Sequence, residues 1–200
     1  MCGIVAAVGS SNIIPLLIDG LKKLEYRGYD STGIGYLSAD GHVVAERSLE
    51  RVAQLEAQIN EKHIEATVGI AHTRWATHGA PALRNAHPMV SNSQGISLCL
   101  VHNGIIENHD EIRAELIAAG YVFTSDTDTE VMTHLIHQHC VQGFDLYEAV
   151  YQTTKRLKGL YAIAVMRADE PHHIIGARHG APLLIGVGER GNYLASDTSA

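Results

Sequence analysis

The sequence predicts an α+β domain in which antiparallel sheets are covered by helices. Short strand-like runs alternate with amphipathic helical segments, and several of the runs come in hairpin pairs. Hydrophobic residues make up 46% of the 200 residues and charged residues 18%, with no repeat or low-complexity linker. A chain of this length can bury a large core. Because hairpin strands are antiparallel, helices must cover the outer faces of the sheets.

The first half of the chain opens with a buried strand over residues 4–8. Residues 13–24 place apolar side chains on one helical face, with Asn12 as the expected cap. Strands at 33–37 and 43–47 flank Asp40-Gly41, a strong hairpin signal. A polar helix over 49–60 and a strand over 67–72 follow.

The second half begins with a strand over 96–102, and residues 89–100 indicate a lengthened hairpin. Asn108-x-x-Glu111 and Thr127-x-x-Glu130 each have the pattern of a capping box, so each predicts the start of a helix. Gly120 would close the first helix and the second would run to about residue 140. One more helix and four short strands are expected, at 145–156, 160–166, 174–177, 183–187 and 193–195.

Several classes of protein are excluded by charge and composition. The net charge is -7 with no basic stripe, which argues against a nucleic-acid partner. No apolar run is long enough to cross a membrane, and the N-terminus lacks the pattern of a signal peptide. Three widely spaced cysteines without a Cys-x-x-Cys pair give no disulfide framework, so we expect the reducing cytoplasm. Because the chain stops at Ala200 just after a strand, we expect one domain over residues 1–200 that is truncated within a larger protein.

Two motifs in the sequence imitate cofactor sites. Residues 186–191 match G-x-G-x-x-G, but a strand-like run follows them where a dinucleotide fingerprint needs a helix. We interpret them as a hairpin. His134 and His137 share a helical face while His139 points elsewhere, and no H-E-x-x-H pattern is present. We therefore expect no metal and no cofactor.

Cys2 is the first candidate for chemistry. Removal of Met1 would leave a thiol and a free α-amine on one residue. An α-amine titrates near ~8 and can serve as a general base at neutral pH, so nucleophile and base would share a residue. The alternative is that Cys2 is a small buried residue at the start of a strand.

Polar segments adjoin the predicted strands and helices. Arg74, in the segment 72–79, could grip a carboxylate through two parallel hydrogen bonds. Asn103 and the Gly104 N–H could form a pair of donors for an oxyanion, although Asn-Gly is more often a simple turn. A carboxylate in 126–130 could pair with a substrate ammonium or merely complement a helix dipole. The polar turn at 27–31 is ambiguous by itself.

Five segments taken in order closely resemble the N-terminal-nucleophile class of glutamine amidotransferases. They are Cys2-Gly3-Ile4-Val5, Glu25-Tyr26-Arg27-Gly28-Tyr29-Asp30-Ser31, residues 72–79, His102-Asn103-Gly104 and Thr127-Asp128-Thr129-Glu130. The residues of the second and third segments are similar to those of the branch that aminates fructose 6-phosphate. The resemblance runs from Cys2 to about Asp197. It implies a four-layer αββα sandwich of two antiparallel sheets between helix layers.

The resemblance also implies a role for each matching residue. Cys2 would attack the side-chain amide of L-glutamine and form a thioester, releasing glutamate and ammonia. The oxyanion hole would consist of Asn103 and the Gly104 N–H. The other expected site residues surround the substrate: Arg74 at its α-carboxylate, Asp128 at its α-ammonium, Thr77 and the His78 backbone in the pocket, Trp75 on the loop that closes over it, and Arg27 near the nucleophile.

The expected partner is L-glutamine, whereas fructose 6-phosphate would bind only to sugar-phosphate isomerase domains that this sequence lacks. The full-length enzyme is expected to be a homo-oligomer. Three alternatives stay open: a standalone amidase or another amidotransferase branch, a histidine-rich metal-binding module, and an inactive regulatory domain. A domain that retains Met1 should be inactive, because its Cys2 would have no free amine.

Overall fold

Ten strands, five α-helices and two short 3₁₀ helices at 25–27 and 83–85 make up the regular structure of residues 2–200, the part of the chain that the computed structural model describes. In chain order the strands and α-helices are β1 (Gly3–Gly9), α1 (Ile14–Leu24), β2 (Ser31–Leu37), β3 (Val43–Ser48), α2 (Val52–Glu61), β4 (Val68–Arg74), β5 (Met89–Ser93), β6 (Ile96–Ile106), α3 (His109–Ala118), α4 (Asp128–Val141), α5 (Leu146–Thr154), β7 (Gly159–Arg167), β8 (Ile175–His179), β9 (Leu184–Gly188) and β10 (Gly191–Ala195). No helix in this part of the chain is long and apolar enough to span a bilayer.

The strands form two antiparallel sheets. Six strands follow the order β3-β2-β4-β1-β10-β9, and four follow the order β5-β6-β7-β8. β1 and β4 are neighbours at the centre of the larger sheet, with Gly3 opposite Thr73. The N-terminal end of β1 therefore lies beside the C-terminal end of β4, where the loop at 75–79 begins.

Three apolar clusters show how the layers stack. Between the sheets lie side chains such as Ile4 and Ile70 from the larger sheet and Val101 and Ala164 from the smaller one. The other face of the larger sheet packs against α1 and α2. The other face of the smaller sheet packs against α4 and α5. The order is therefore helices, sheet, sheet, helices, which is the four-layer sandwich that the resemblance implied.

The helix starts confirm the predicted elements and correct some of the caps. α1 has Ile13 as its N-cap, and Asn12 acts one residue earlier, its Oδ1 accepting from the N–H groups of Ile14 and Ala66. The capping box predicted at Asn108 is wrong, because that side chain bonds the backbone at 156 and 158 instead. Thr127 caps α4 as predicted, accepting from the Glu130 N–H.

Hairpins occur where glycine permits them. Gly41 has φ +85° in the β2–β3 turn, and Gly95 has φ +76° in the β5–β6 turn. The glycine-rich run at 186–191 forms the β9–β10 hairpin, with Gly188 opposite Gly191, as predicted. The predicted ends of β4 and β6 were too early, since both strands continue into the polar segments that follow them.

Candidate active site

Cys2 precedes the central strand β1 and faces the start of the loop after β4. The backbone N–H of Trp75 donates to the Cys2 Sγ at 3.1 Å, and the Sγ lies 3.3 Å from the Trp75 carbonyl oxygen. These contacts hold the thiol at the meeting point of two adjacent strands. The expected removal of Met1 concerns a residue outside the described part of the chain.

The environment of Cys2 affects its ionisation. Burial raises the pKa of the Cys2 thiol above its ordinary value, although the Trp75 N–H and the nearby Arg74 charge oppose that effect. A thiol with a raised pKa remains protonated at neutral pH and needs a base before it can attack.

Asn103 lies beside Cys2 although 101 positions separate them in the chain. Its Nδ2 donates to the Cys2 carbonyl oxygen at 3.1 Å, and its Oδ1 lies 2.9 Å from Nε2 of His72 on β4. The side-chain amide therefore presents N–H groups towards the cysteine. The sequence placed Asn103 after a strand, but it lies inside β6, opposite Ala162 of β7.

Gly104 also lies inside β6 and has φ +122°, which L side chains rarely adopt. A Cβ at this position would stand 2.0 Å from the carbonyl oxygen of Leu160 on the neighbouring strand. The Asn-Gly pair is therefore not a turn. Glycine at this point lets β6 adopt a positive φ while its backbone stays close to β7.

Arg74 ends β4 with a buried guanidinium that has partners at both Nη atoms. Its Nη2 donates to the carbonyl oxygens of His78 at 2.5 Å and Gly79 at 2.9 Å, and its Nη1 lies 3.4 Å from Asp30. The same Asp30 carboxylate accepts from the Ala76 N–H. Arg74 and Asp30 together fix the conformation of the loop at 75–79.

Asp128 is the first residue of α4 and is also buried. Its Oδ2 accepts from the Ile106 N–H at 2.8 Å, and its Oδ1 lies 3.8 Å from the His102 Nδ1. The carboxylate thus stands at a helix N-terminus, where the dipole favours a negative charge, and also faces the interior of the site. Both interpretations of this residue are compatible with its position.

A narrow cleft brings most of the predicted residues together. Its walls are formed by Cys2, Arg74, Trp75, Thr77, His78, His87, His102, Gly104, Thr127, Asp128 and Thr129. Trp75 is 53% exposed, and its ring packs over Gly28, leaving no space for a Cβ there. Two of the predicted site residues, Asn103 and Arg27, are not among these wall residues. Arg27 pairs with Asp197 at 3.2 Å.

Sequence reasoning did not identify several residues of the site. Asp30 fell in a polar turn judged ambiguous, and its role becomes visible only through the loop that it holds. His87 and Thr129 contribute to the cleft walls, and they are joined by a hydrogen bond of 3.1 Å. Thr129 lay within a segment that carries the family resemblance but was given no role, and His87 had no local signal. Their contact spans 42 positions.

The histidines set aside as a metal decoy have other partners. His134 bonds Ser91 and the Val122 carbonyl oxygen, and His137 bonds Ser93 and the Tyr121 hydroxyl. No group of three potential ligands that could hold a metal ion occurs within residues 2–200. These histidines tie α4 to β5 and to the loop before the helix.

A family model described as "Glutamine amidotransferase domain" matches residues 72–200, which is more than half of the chain. The chain belongs to the glutamine amidotransferase domain family. The family predicted from the sequence motifs is therefore confirmed. The match includes the segments that carry Arg74, Asn103 and Asp128.

Curated relatives of this glutamine amidotransferase domain match it over its whole length. Proteins named "Glutamine--fructose-6-phosphate aminotransferase [isomerizing]" are 57% identical in Bordetella pertussis and 49% identical in Acidithiobacillus ferridurans. The matches cover 100% of this chain but 33% and 32% of those relatives. The chain thus spans about a third of the length of the curated relatives that it matches.

Solved structures confirm the fold. A glutamine phosphoribosylpyrophosphate amidotransferase from B. subtilis, complexed with ADP and GMP, superposes with a TM-score of 0.83 at 28% identity. The match covers 98% of this chain and 42% of that one. A glutamine aminotransferase class-II domain protein from Silicibacter pomeroyi has a TM-score of 0.62 at 15% identity, with 97% and 88% covered, and shows the fold alone.

Proposed function

We propose that this domain hydrolyses L-glutamine to glutamate and ammonia through a thioester on Cys2. The observation that carries the proposal is the position of the Asn103 amide, whose Nδ2 lies 3.1 Å from the carbonyl oxygen of the same residue that bears the thiol. A nucleophile with an adjacent, preorganised donor is the arrangement that acyl transfer requires.

The chemistry follows from these groups. The α-amine of Cys2, freed by loss of Met1, takes the thiol proton, and the sulfur attacks the side-chain carbonyl carbon of glutamine. The oxyanion is held by the Asn103 amide and the Gly104 N–H. The amine then returns the proton to the leaving nitrogen, the C–N bond breaks, and ammonia departs. Water attacks the thioester next, giving glutamate and restoring the thiol.

The charged walls of the cleft support an amino-acid substrate. Arg74 offers a cation for the α-carboxylate, and Asp128 offers a carboxylate for the α-ammonium. Thr77 and the His78 backbone complete the pocket. Trp75 covers the cleft from an exposed loop, and Arg27 supports the site from outside these walls through its pair with Asp197.

The fate of the ammonia is proposed from the relatives. Their name describes an isomerizing amination of fructose 6-phosphate, and they are about three times as long as this chain. We propose that in the full-length protein the ammonia converts fructose 6-phosphate to glucosamine 6-phosphate in further sugar-binding domains. The same proposal includes a homo-oligomer in the cytoplasm that uses no cofactor and binds no nucleic acid. The free thiols of Cys2, Cys99 and Cys140 support the reducing compartment.

Substitution of the nucleophile tests the proposal. Cys2→Ala should abolish the release of glutamate from glutamine, because alanine cannot form the thioester. Cys140→Ala is the matched control, since that thiol is buried between α4 and the smaller sheet, and its variant should keep the activity. The measurement is glutamate production in the purified protein. Undiminished turnover by Cys2→Ala would exclude Cys2 as the nucleophile.

A further inference from the structure

The amide of Asn103 is held at both of its polar atoms. Its Nδ2 donates to the Cys2 carbonyl oxygen, and its Oδ1 lies 2.9 Å from the His72 Nε2. Because a carbonyl oxygen only accepts, the amide nitrogen must be the atom that faces Cys2, and the amide oxygen must face His72. His72 must therefore carry a proton on Nε2.

The surroundings keep His72 neutral. The residue is fully buried in β4. Burial lowers the pKa of His72 to about 3 and outweighs the Asn103 amide and the His102 backbone, both of which favour the protonated ring. A neutral ring has one N–H, and the contact with the Asn103 Oδ1 assigns it to Nε2.

Two more histidines, His87 and His102, stack in series next to the ring of His72. The His87 ring stacks on it with centroids 4.2 Å apart, and the His102 ring lies parallel to that of His87 at 6.4 Å. The His102 backbone N–H donates to the His87 Nδ1, so the other nitrogen of His87 donates to the Thr129 hydroxyl at 3.1 Å. Thr129 in turn bonds the His102 Nδ1 at 3.0 Å.

We propose that His72 is a positioning residue that fixes the orientation of the Asn103 amide, with His87, Thr129 and His102 as its support. This inference rests on the proposed glutaminase function. A side-chain amide can rotate by half a turn with little change in shape. The rotated form would present an oxygen to the developing oxyanion and would repel it. The His72 N–H binds only the productive form, because the rotated amide would place an N–H against it.

The test compares two substitutions of similar length at one position. Gln at position 72 can place an amide N–H near the present Nε2, whereas Met has the same reach and no donor. His72→Met should lower kcat for glutamine hydrolysis by about 10- to 100-fold, with KM changed by no more than about twofold. The reason is that the Asn103 amide stabilises the oxyanion of the transition state rather than the bound substrate. His72→Gln should retain kcat within about threefold of the unmodified protein.

A second background separates positioning from general damage. In a protein that already carries Asn103→Ala, itself expected to lose about 10²–10³ in kcat, His72→Met should cost no more than about twofold further. His137→Leu, which removes another fully buried histidine, from α4, controls for lost stability and should keep the unmodified kcat. If His72→Met does not fold, His72→Asn replaces it, because its amide ends one bond short of Asn103.

The outcomes distinguish the positioning role of His72 from the proposed glutaminase function. Equal kcat in the Met and Gln variants, or an undiminished loss in the Asn103→Ala background, would overturn the positioning role while leaving the glutaminase function intact. Absence of glutamine hydrolysis in the unmodified protein from which Met1 has been removed would instead overturn the proposed function itself. A loss in His72→Met, its recovery in His72→Gln and the disappearance of the difference without Asn103 would establish the inference.

Discussion

Most charged and polar side chains around Cys2 already have partners before a substrate arrives. Arg74 is bound by Asp30 and two loop carbonyl oxygens, and Asp128 by the Ile106 N–H. Such bonds position the charges in advance, which reduces the reorganisation that binding and catalysis require. Substrate binding must therefore add to these bonds or exchange with them.

Arg74→Lys tests the binding role at the residue scale. A lysine keeps the positive charge, but its ammonium group cannot replace the planar guanidinium. The guanidinium bonds Asp30 and the loop carbonyl oxygens, and it would also bond the proposed substrate's carboxylate. We expect KM for glutamine to rise by about tenfold or more with a smaller effect on kcat. The measurement is steady-state hydrolysis, with Arg84→Lys as the control because Arg84 is exposed and pairs with Asp126 on the surface. An unaltered KM would remove Arg74 from the carboxylate site.

The residues proposed as nucleophile and as substrate-binding groups could be named from the sequence because their side chains lie next to recognisable strands and together match the motifs of a family. The role of His72 could not, because it depends on a contact with Asn103 across 31 positions. Likewise, the ordering of the loop by Asp30 involves Arg74, 44 positions away. Pairings of this kind depend on sheet register, which single-sequence patterns do not determine.

At the scale of elements, β6 carries the site because it continues through Asn103-Gly104 instead of turning there. The sequence interpretation ended this strand at residue 102, since Asn-Gly usually marks a turn. Pairing with β7 extends the strand to Ile106, and glycine absorbs the distortion. Tertiary pairing thus overrode the local turn preference.

Gly104→Ala should be strongly destabilising. The added Cβ would meet the Leu160 carbonyl oxygen at 2.0 Å, in a backbone conformation with φ +122°. We expect the free energy of unfolding to fall by at least about 3 kcal/mol. Gly41→Ala is the control: it also has positive φ but open space around it, so the loss should be about 1–2 kcal/mol. Similar losses in urea unfolding for both variants would contradict this account of β6.

The start of α4 is held by Glu130. Burial by itself would raise the pKa of its carboxyl group, but hydrogen bonds from His134, Ser125 and the Thr124 backbone outweigh it and lower the pKa to about 2. The folded-state pKa thus lies below the ordinary value of 4.5. The contribution to stability is therefore present above the ordinary value and is lost as the pH falls towards the folded-state value.

Glu130→Gln should show this dependence. We expect the variant to be less stable than the unmodified protein at about pH 5, and the difference to shrink by about pH 3 as the native carboxylate loses its advantage. Urea unfolding at both pH values measures it. Glu61→Gln, at an exposed position that ends α2, should show no such change. A difference that stays constant with pH would mean that the carboxylate charge of Glu130 does not stabilise the native structure.

At the scale of the whole molecule, the sandwich brings distant segments to one cleft. β1 and β4 bring Cys2 and Arg74 from the larger sheet, while β6 and α4 bring Gly104 and Asp128 from the other side. The helices and strands could be predicted because apolar periodicity and turn glycines are local features of the sequence. The sheet order was not, and the four-layer arrangement came from family resemblance. β1 is separated from its partner β10 by 8 other strands in the chain, so this pairing leaves no local pattern in the sequence.

The proposed glutaminase chemistry requires Cys2 to be both the attacking residue and the N-terminal residue of the active protein. The direct measurement is the intact mass of active protein before and after treatment with a glutamine analogue that carries an electrophilic carbon at the amide position, followed by peptide mapping. We predict a chain that begins at Cys2 and gains one adduct, located on the Cys2 thiol, with matching loss of glutamine hydrolysis. A chain that retains Met1 and still hydrolyses glutamine at full rate, or an inactivating adduct on Cys99 or Cys140, would contradict the account.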